Sequence, residues 1–182
     1  MIPEFDANTG ALPVGRFPAT IPEIRAALVE PFPLPRREEL WEEWLDATTI
    51  LASHVRIACA WLGGSFLTTK PEPGDIDVVY WVEDTELQRA AADATTASAL
   101  QTFTTPGWLH GVGLRVDAYV VPWVSNGTAA PRGPEDMQYL RQRGYWDDLW
   151  LRLRSGAKGA PPSRLDSIPR RGYLEVNLDG HE

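Results

Sequence analysis

Trp61-Leu62-Gly63-Gly64-Ser65 and, after a gap of nine residues, Asp75-Ile76-Asp77-Val78-Val79 decide how this 182-residue chain is read. A small-residue turn after a short apolar strand lets backbone N–H groups approach a phosphate closely. Asp75 and Asp77 are separated by one apolar residue, so in a strand they project from the same face. A phosphate cradle beside paired hard oxygens suits metal-assisted chemistry on a nucleoside triphosphate.

Working outward, Val55 to Leu62 is a β-rich run ending at the Gly63-Gly64 turn, and Ile76 to Val82 is a second strand. Leu114 to Val121 reads as a third strand, in which alternation puts Arg115, Asp117 and Tyr119 on one face. Laid beside the strand of Asp77, it adds Asp117 as a third carboxylate. Three such groups repel and raise one another's pKa unless a cation neutralises them. Mg²⁺ or Mn²⁺ meets that need, because these ions take carboxylate oxygens together with substrate phosphates. One ion would lower the pKa of an attacking hydroxyl, and a second would stabilise departing pyrophosphate.

Other elements frame this centre. Residues 1–35 hold seven prolines and read as an extended arm wrapped on the core. Within the arm, Thr20-Ile21-Pro22-Glu23 is a capping box that starts a short helix to about Val29. Arg37 to about Ser53 carries Leu40, Trp41, Trp44, Leu45 and Leu51 at helical spacing. Residues 85–103 read as one helix opened by Asp84 or Thr85, and Ser125-Asn126-Gly127 as a turn. Pro134 opens a last helix with the face Trp146, Leu149, Trp150 and Leu153, and Gly172 to Val176 is a final strand or an extended arm.

An apolar residue, Gly, Gly or Ser, a gap of about ten residues, acid–apolar–acid–apolar and a later third acid form the nucleotidyltransferase signature of the polymerase-beta-like fold. Leu62-Gly63-Gly64-Ser65, Asp75-Ile76-Asp77-Val78 and Asp117 resemble it over residues 55–121, with every acidic position kept. A wider resemblance, to bacterial proteins of unassigned function, rests on Ile2-Pro3-Glu4-Phe5-Asp6, Gly64-Ser65-Phe66-Leu67-Thr68-Thr69-Lys70 and Tyr145-Trp146. Some relatives of this kind belong to toxin–antitoxin and phage-defence systems. The resemblance implies that Gly63, Gly64 and Ser65 hold the β- and γ-phosphates. It implies that Asp75 and Asp77 bind both metals, and that Asp117 binds the catalytic one and serves as base. Lys70 and Arg115 match no required position of the signature; they are candidate triphosphate contacts by their charge alone.

Composition bounds the alternatives. A hydrophobic content of 43% and a charged content of 23% describe an ordinary globular domain rather than a disordered chain. Apolar runs are too short and too often broken by charge to span a membrane, and the first residues lack a secretory pattern, so a cytoplasmic location is expected. The net charge of −8 argues against broad non-specific DNA binding. It divides unevenly, residues 132–182 carrying nine basic and eight acidic side chains. This Arg-rich third could face a polyanion or could simply be a solvated helix face. His54, His110 and His181 share no metal-ligand spacing with one another or with Cys59, which speaks against zinc. His110, in the loop before the third strand, could reach the centre but reads first as a surface histidine, and Cys59 reads as a buried thiol. Trp61, Trp81, Trp108 and Trp123 flank the strands of the centre; core packing is the default for each, and one could stack on a base.

The expected fold is therefore α/β: one domain over 1–182, a small mixed sheet flanked by helices, an N-terminal arm and a helical C-terminal part. The expected function is metal-dependent transfer of a nucleoside monophosphate from an NTP to a hydroxyl. The acceptor would be a protein or RNA, including a cognate toxin or antitoxin. Two alternatives stand beside it: a non-catalytic nucleotide- or partner-binding module of the same fold, and a nucleotide-signal synthase.

Overall fold

Thr20 and Glu23 close the capping box that their spacing predicts. The Thr20 hydroxyl accepts from the Glu23 N–H at 3.3 Å and the Glu23 carboxylate accepts from the Thr20 N–H at 2.9 Å, opening α1 (Ile21–Leu28). The computed structural model describes residues 1–125, 131, 133–157 and 159–180. The arm does more than wrap: Gly15–Pro18 is strand β1, paired in parallel with β5 (Gly172–Asn177). Pro18 lacks a donor and is tolerated there because β1 is an edge strand.

One five-stranded mixed sheet has the order β1-β5-β2-β3-β4, with β2 at Ile57–Gly63, β3 at Ile76–Glu83 and β4 at Val116–Trp123. β2 is antiparallel to both β5 and β3, and β3 is parallel to β4. Helix α2 (Arg36–Ala52) covers the face that carries Tyr80, whose hydroxyl lies 2.8 Å from Thr48 Oγ1. Helix α6 (Pro134–Leu151) covers the opposite face. There Trp150 Nε1 donates to the Trp61 carbonyl at 3.2 Å, and Tyr139 meets Trp81 edge-on. Trp41, Trp44, Trp61, Trp81 and Tyr173 are fully buried between these layers. The chain is thus an α/β protein with six helices and five strands among the described residues.

Three boundaries differ from the sequence reading. The helix expected over 85–103 is two, α3 (Asp84–Ala92) and α4 (Ala94–Phe103). Asp93 is extended between them, and its carboxylate accepts the Thr96 N–H at 2.8 Å, so it caps α4 instead of continuing α3. α6 stops at Leu151 because Arg152 turns extended and bridges to Pro169, leaving Leu153 beyond the helix. β4 begins at Val116, not Leu114, after the short helix α5 (Trp108–Gly111). The turn expected at 125–127 lies, from Asn126 onward, outside the described residues. Among the described residues no helix is long and apolar enough to cross a membrane.

Candidate functional site

Strand register assembles the centre. Gly63 on β2 is opposite Asp77 on β3, and Asp77 is opposite Asp117 on β4. Three neighbouring strands therefore present glycine, carboxylate and carboxylate in one row at the end of the sheet. Asp75 lies just before β3.

Each glycine of the turn has its own reason. A Cβ on Gly63 would come within 2.8 Å of the Trp150 ring, so this position lets α6 pack against the strand end. Gly64 has φ of 73°, and a Cβ there would lie 1.6 Å from Asp77 Oδ2. The Asp77 carboxylate occupies the space that any side chain at 64 would need. Gly64→Ala should lower the melting temperature by about 5–10 °C, from strained backbone and a displaced carboxylate together. Gly74→Ala, where a Cβ meets nothing within 4 Å, is the control expected to melt unchanged.

After the glycines, Ser65–Leu67 forms a single 3₁₀ turn anchored by buried Phe66 and Leu67. Its Ser65 carbonyl accepts from Thr68 Oγ1 at 2.7 Å, and the Ser65 side chain is half-buried. The turn is held from behind by Arg37. That guanidinium donates to the carbonyls of Leu28 (2.9 Å), Phe66 (2.8 Å), Thr68 (2.5 Å) and Lys70 (2.7 Å). The sequence marked Arg37 only as the start of a helix.

Electrostatics single out Asp77. Burial first, then Asp75, with a smaller addition from Asp117, push its carboxyl up to about 6. Arg171, at the entry to β5, opposes that shift. Arg171 donates its Nε to the Trp150 carbonyl at 2.9 Å, and burial holds its own pKa below the ordinary range. This cation is close enough to interact with Asp77, and no local motif announced it.

Asp117 is met by His110 of α5, with Nε2 at 3.0 Å from Oδ1. His110 is exposed, as a surface histidine should be, and it also reaches the centre from α5, just before β4. Among the described residues, no group of three His, Cys, Asp or Glu side chains is arranged to hold a metal ion. The donor chemistry nevertheless suits a hard divalent cation. Asp75 and Asp77 supply oxygens only, and Asp77 is a buried carboxylate whose charge its surroundings leave under-compensated.

Arg115 requires a correction. It stands one position before β4, where its carbonyl already accepts the Ile76 N–H at 3.0 Å. Its guanidinium pairs with Glu43 and, at 3.0 Å, with Glu39, both on α2. It ties β4 to that helix and is not available as a triphosphate contact. Lys70 is exposed, and no contact among the described residues joins its ammonium to the aspartates. Trp61 and Trp81 are fully buried, which removes them as base-stacking surfaces. Burial and Glu175 push the Cys59 thiol up to about 12, consistent with an unreactive side chain.

A family model described as a family of unknown function, DUF6932, matches residues 3–177, and the chain belongs to that family. No curated protein and no solved structure matches it.

Proposed function

We propose that this member of the DUF6932 family is a nucleotidyltransferase that moves a nucleoside monophosphate from an NTP to a hydroxyl of a protein or RNA acceptor. One observation carries the reading: Gly63, Asp77 and Asp117 stand in register on three adjacent strands, with the Asp77 carboxylate filling the hollow over Gly64. A glycine turn and a carboxylate pair of the nucleotidyltransferase pattern are thereby neighbours in space as well as in sequence.

In this reading the backbone N–H groups after Gly63 and the Ser65 hydroxyl receive the β- and γ-phosphates. Asp75 and Asp77 would hold Mg²⁺ or Mn²⁺, which supplies charge neutralisation for the phosphates when bound. Asp117 takes the proton of the acceptor hydroxyl as its oxygen bonds to the α-phosphorus. The α–β phosphoanhydride bond breaks, and its electrons leave with pyrophosphate. His110 orients the Asp117 carboxylate, and Arg171 limits the repulsion felt by Asp77. Arg37 keeps the phosphate-facing turn rigid.

Purified protein incubated with each α-labelled NTP, Mg²⁺ or Mn²⁺ and cell lysate is expected to move label onto protein or RNA. A labelled soluble oligonucleotide would instead indicate the signal synthase. The contact of Asp117 with His110 favours one second reading, a nucleotide-binding module without transfer. Binding of NTP with no movement of label under any condition would establish that module and sink the enzyme.

A further inference from the structure

Two exposed aromatic rings border the aspartate centre. Tyr119 follows Asp117 by two residues on the same face of β4, so it sits about 7 Å along the strand. Its ring lies 4.5 Å from that of Trp146 on α6, and Tyr145 meets the same Trp146 at 5.0 Å. Trp146 is buried, whereas Tyr119 and Tyr145 remain 45% and 58% exposed. The buried indole therefore holds two tyrosines in place while their outer surfaces stay open.

We infer that Tyr119 and Tyr145 form a stacking ledge for the base of the nucleotide whose phosphates meet Gly64, Ser65 and the aspartates. The inference rests on the nucleotidyltransferase reading and adds where the base goes. Rings fixed by a third ring lose little freedom when a base stacks on them, which is the condition for useful stacking energy. The occupant is a single nucleotide, because two rings resting on one indole make a platform for one base and not for a run of them. Stacking on ring faces reads area more than hydrogen-bonding pattern, so all four NTPs should bind, the purines more tightly.

Isothermal titration in Mg²⁺ with ATP and with tripolyphosphate, which has no base, tests the ledge. ATP should bind the unmodified protein about 10- to 100-fold more tightly than tripolyphosphate. Tyr119→Ala/Tyr145→Ala should bring ATP down to the tripolyphosphate level while leaving tripolyphosphate binding unchanged. Tyr119→Phe/Tyr145→Phe should retain ATP affinity. If the double alanine variant does not fold, Tyr145→Ala alone should still weaken ATP selectively, since that ring is the more exposed. Equal affinity for the two ligands in the unmodified protein overturns the ledge, as does full ATP affinity in a folded alanine variant. If neither ligand binds the unmodified protein, the nucleotidyltransferase reading falls and the ledge with it.

Discussion

Arg37→Met should destabilise the protein by about 3–5 kcal/mol, lowering its melting temperature by roughly 10 °C or more. The guanidinium is fully buried and donates to four backbone carbonyls, with Phe32 and Phe66 rings on its faces. Where a buried ion pair is replaced by an apolar pair, the cost can vanish because both partners go. Here the partners are main-chain carbonyls and cannot be removed. Methionine would fill the volume but leave them without donors, each at about 1–3 kcal/mol before relaxation. Burial holds Arg37 down at about 10, and it still carries its charge at neutral pH. Arg37→Lys should rescue little, since one ammonium cannot reproduce a planar fork that spans Leu28 and Lys70. Urea melts of both variants check this; a lysine variant as stable as the parent would refute the cradle argument.

Asp77→Asn should have the opposite sign on stability and remove transfer. The folded-state pKa of about 6 lies above the ordinary aspartate value of 3.8, so the folded protein binds this proton more tightly than the unfolded chain. Stability from this group is complete below about pH 4, declines as pH rises towards 6, and is lost above it. Asparagine abolishes that titration. At pH 7.5 the variant should gain on the order of 2–3 kcal/mol, and near pH 4 it should match the parent. Mg²⁺ should raise the melting temperature of the parent at pH 7.5 and leave the variant unmoved. Transfer should fall at least about 100-fold. Melting curves across pH, with and without Mg²⁺, separate these effects. A variant less stable than the parent at pH 7.5 would show that Asp77 is not the strained carboxylate argued above.

Local patterns carried much of this architecture. The Thr20–Glu23 box, the apolar face of α2 and the strand–turn–strand unit around Gly63 depend on neighbours within a few residues, and each forms. What escaped the sequence depends on distance. β1 is invisible in a proline-rich arm because its only strand partner is at 172–175. Arg171 and Arg37 have no periodicity that would announce them; each acquires its role from a contact made by the fold. Arg115 shows the limit of alternation: the rule gives the face of a residue and not its partner, and here Glu39 and Glu43 of α2 take the guanidinium. At Asp93 the helical pattern of the flanking alanines competes with a good capping side chain, and the cap wins. Trp61 and Trp81 pack into the core, the default reading for them, whereas Tyr119 and Tyr145 stay exposed beside the centre.

β5 is the last strand of the chain yet lies between β1 and β2. During synthesis, Gly15 must wait for Gly172 before it has a partner, and β2 keeps one side bare until the same moment. The nascent protein thus carries an open, apolar sheet margin until residues 172–177 have been made, a state that invites pairing with other chains. Arg171 emerges immediately ahead of β5, so the counter-charge for Asp77 arrives together with the closing strand. A ribosome-released fragment that stops short of it would be both sticky and electrostatically incomplete.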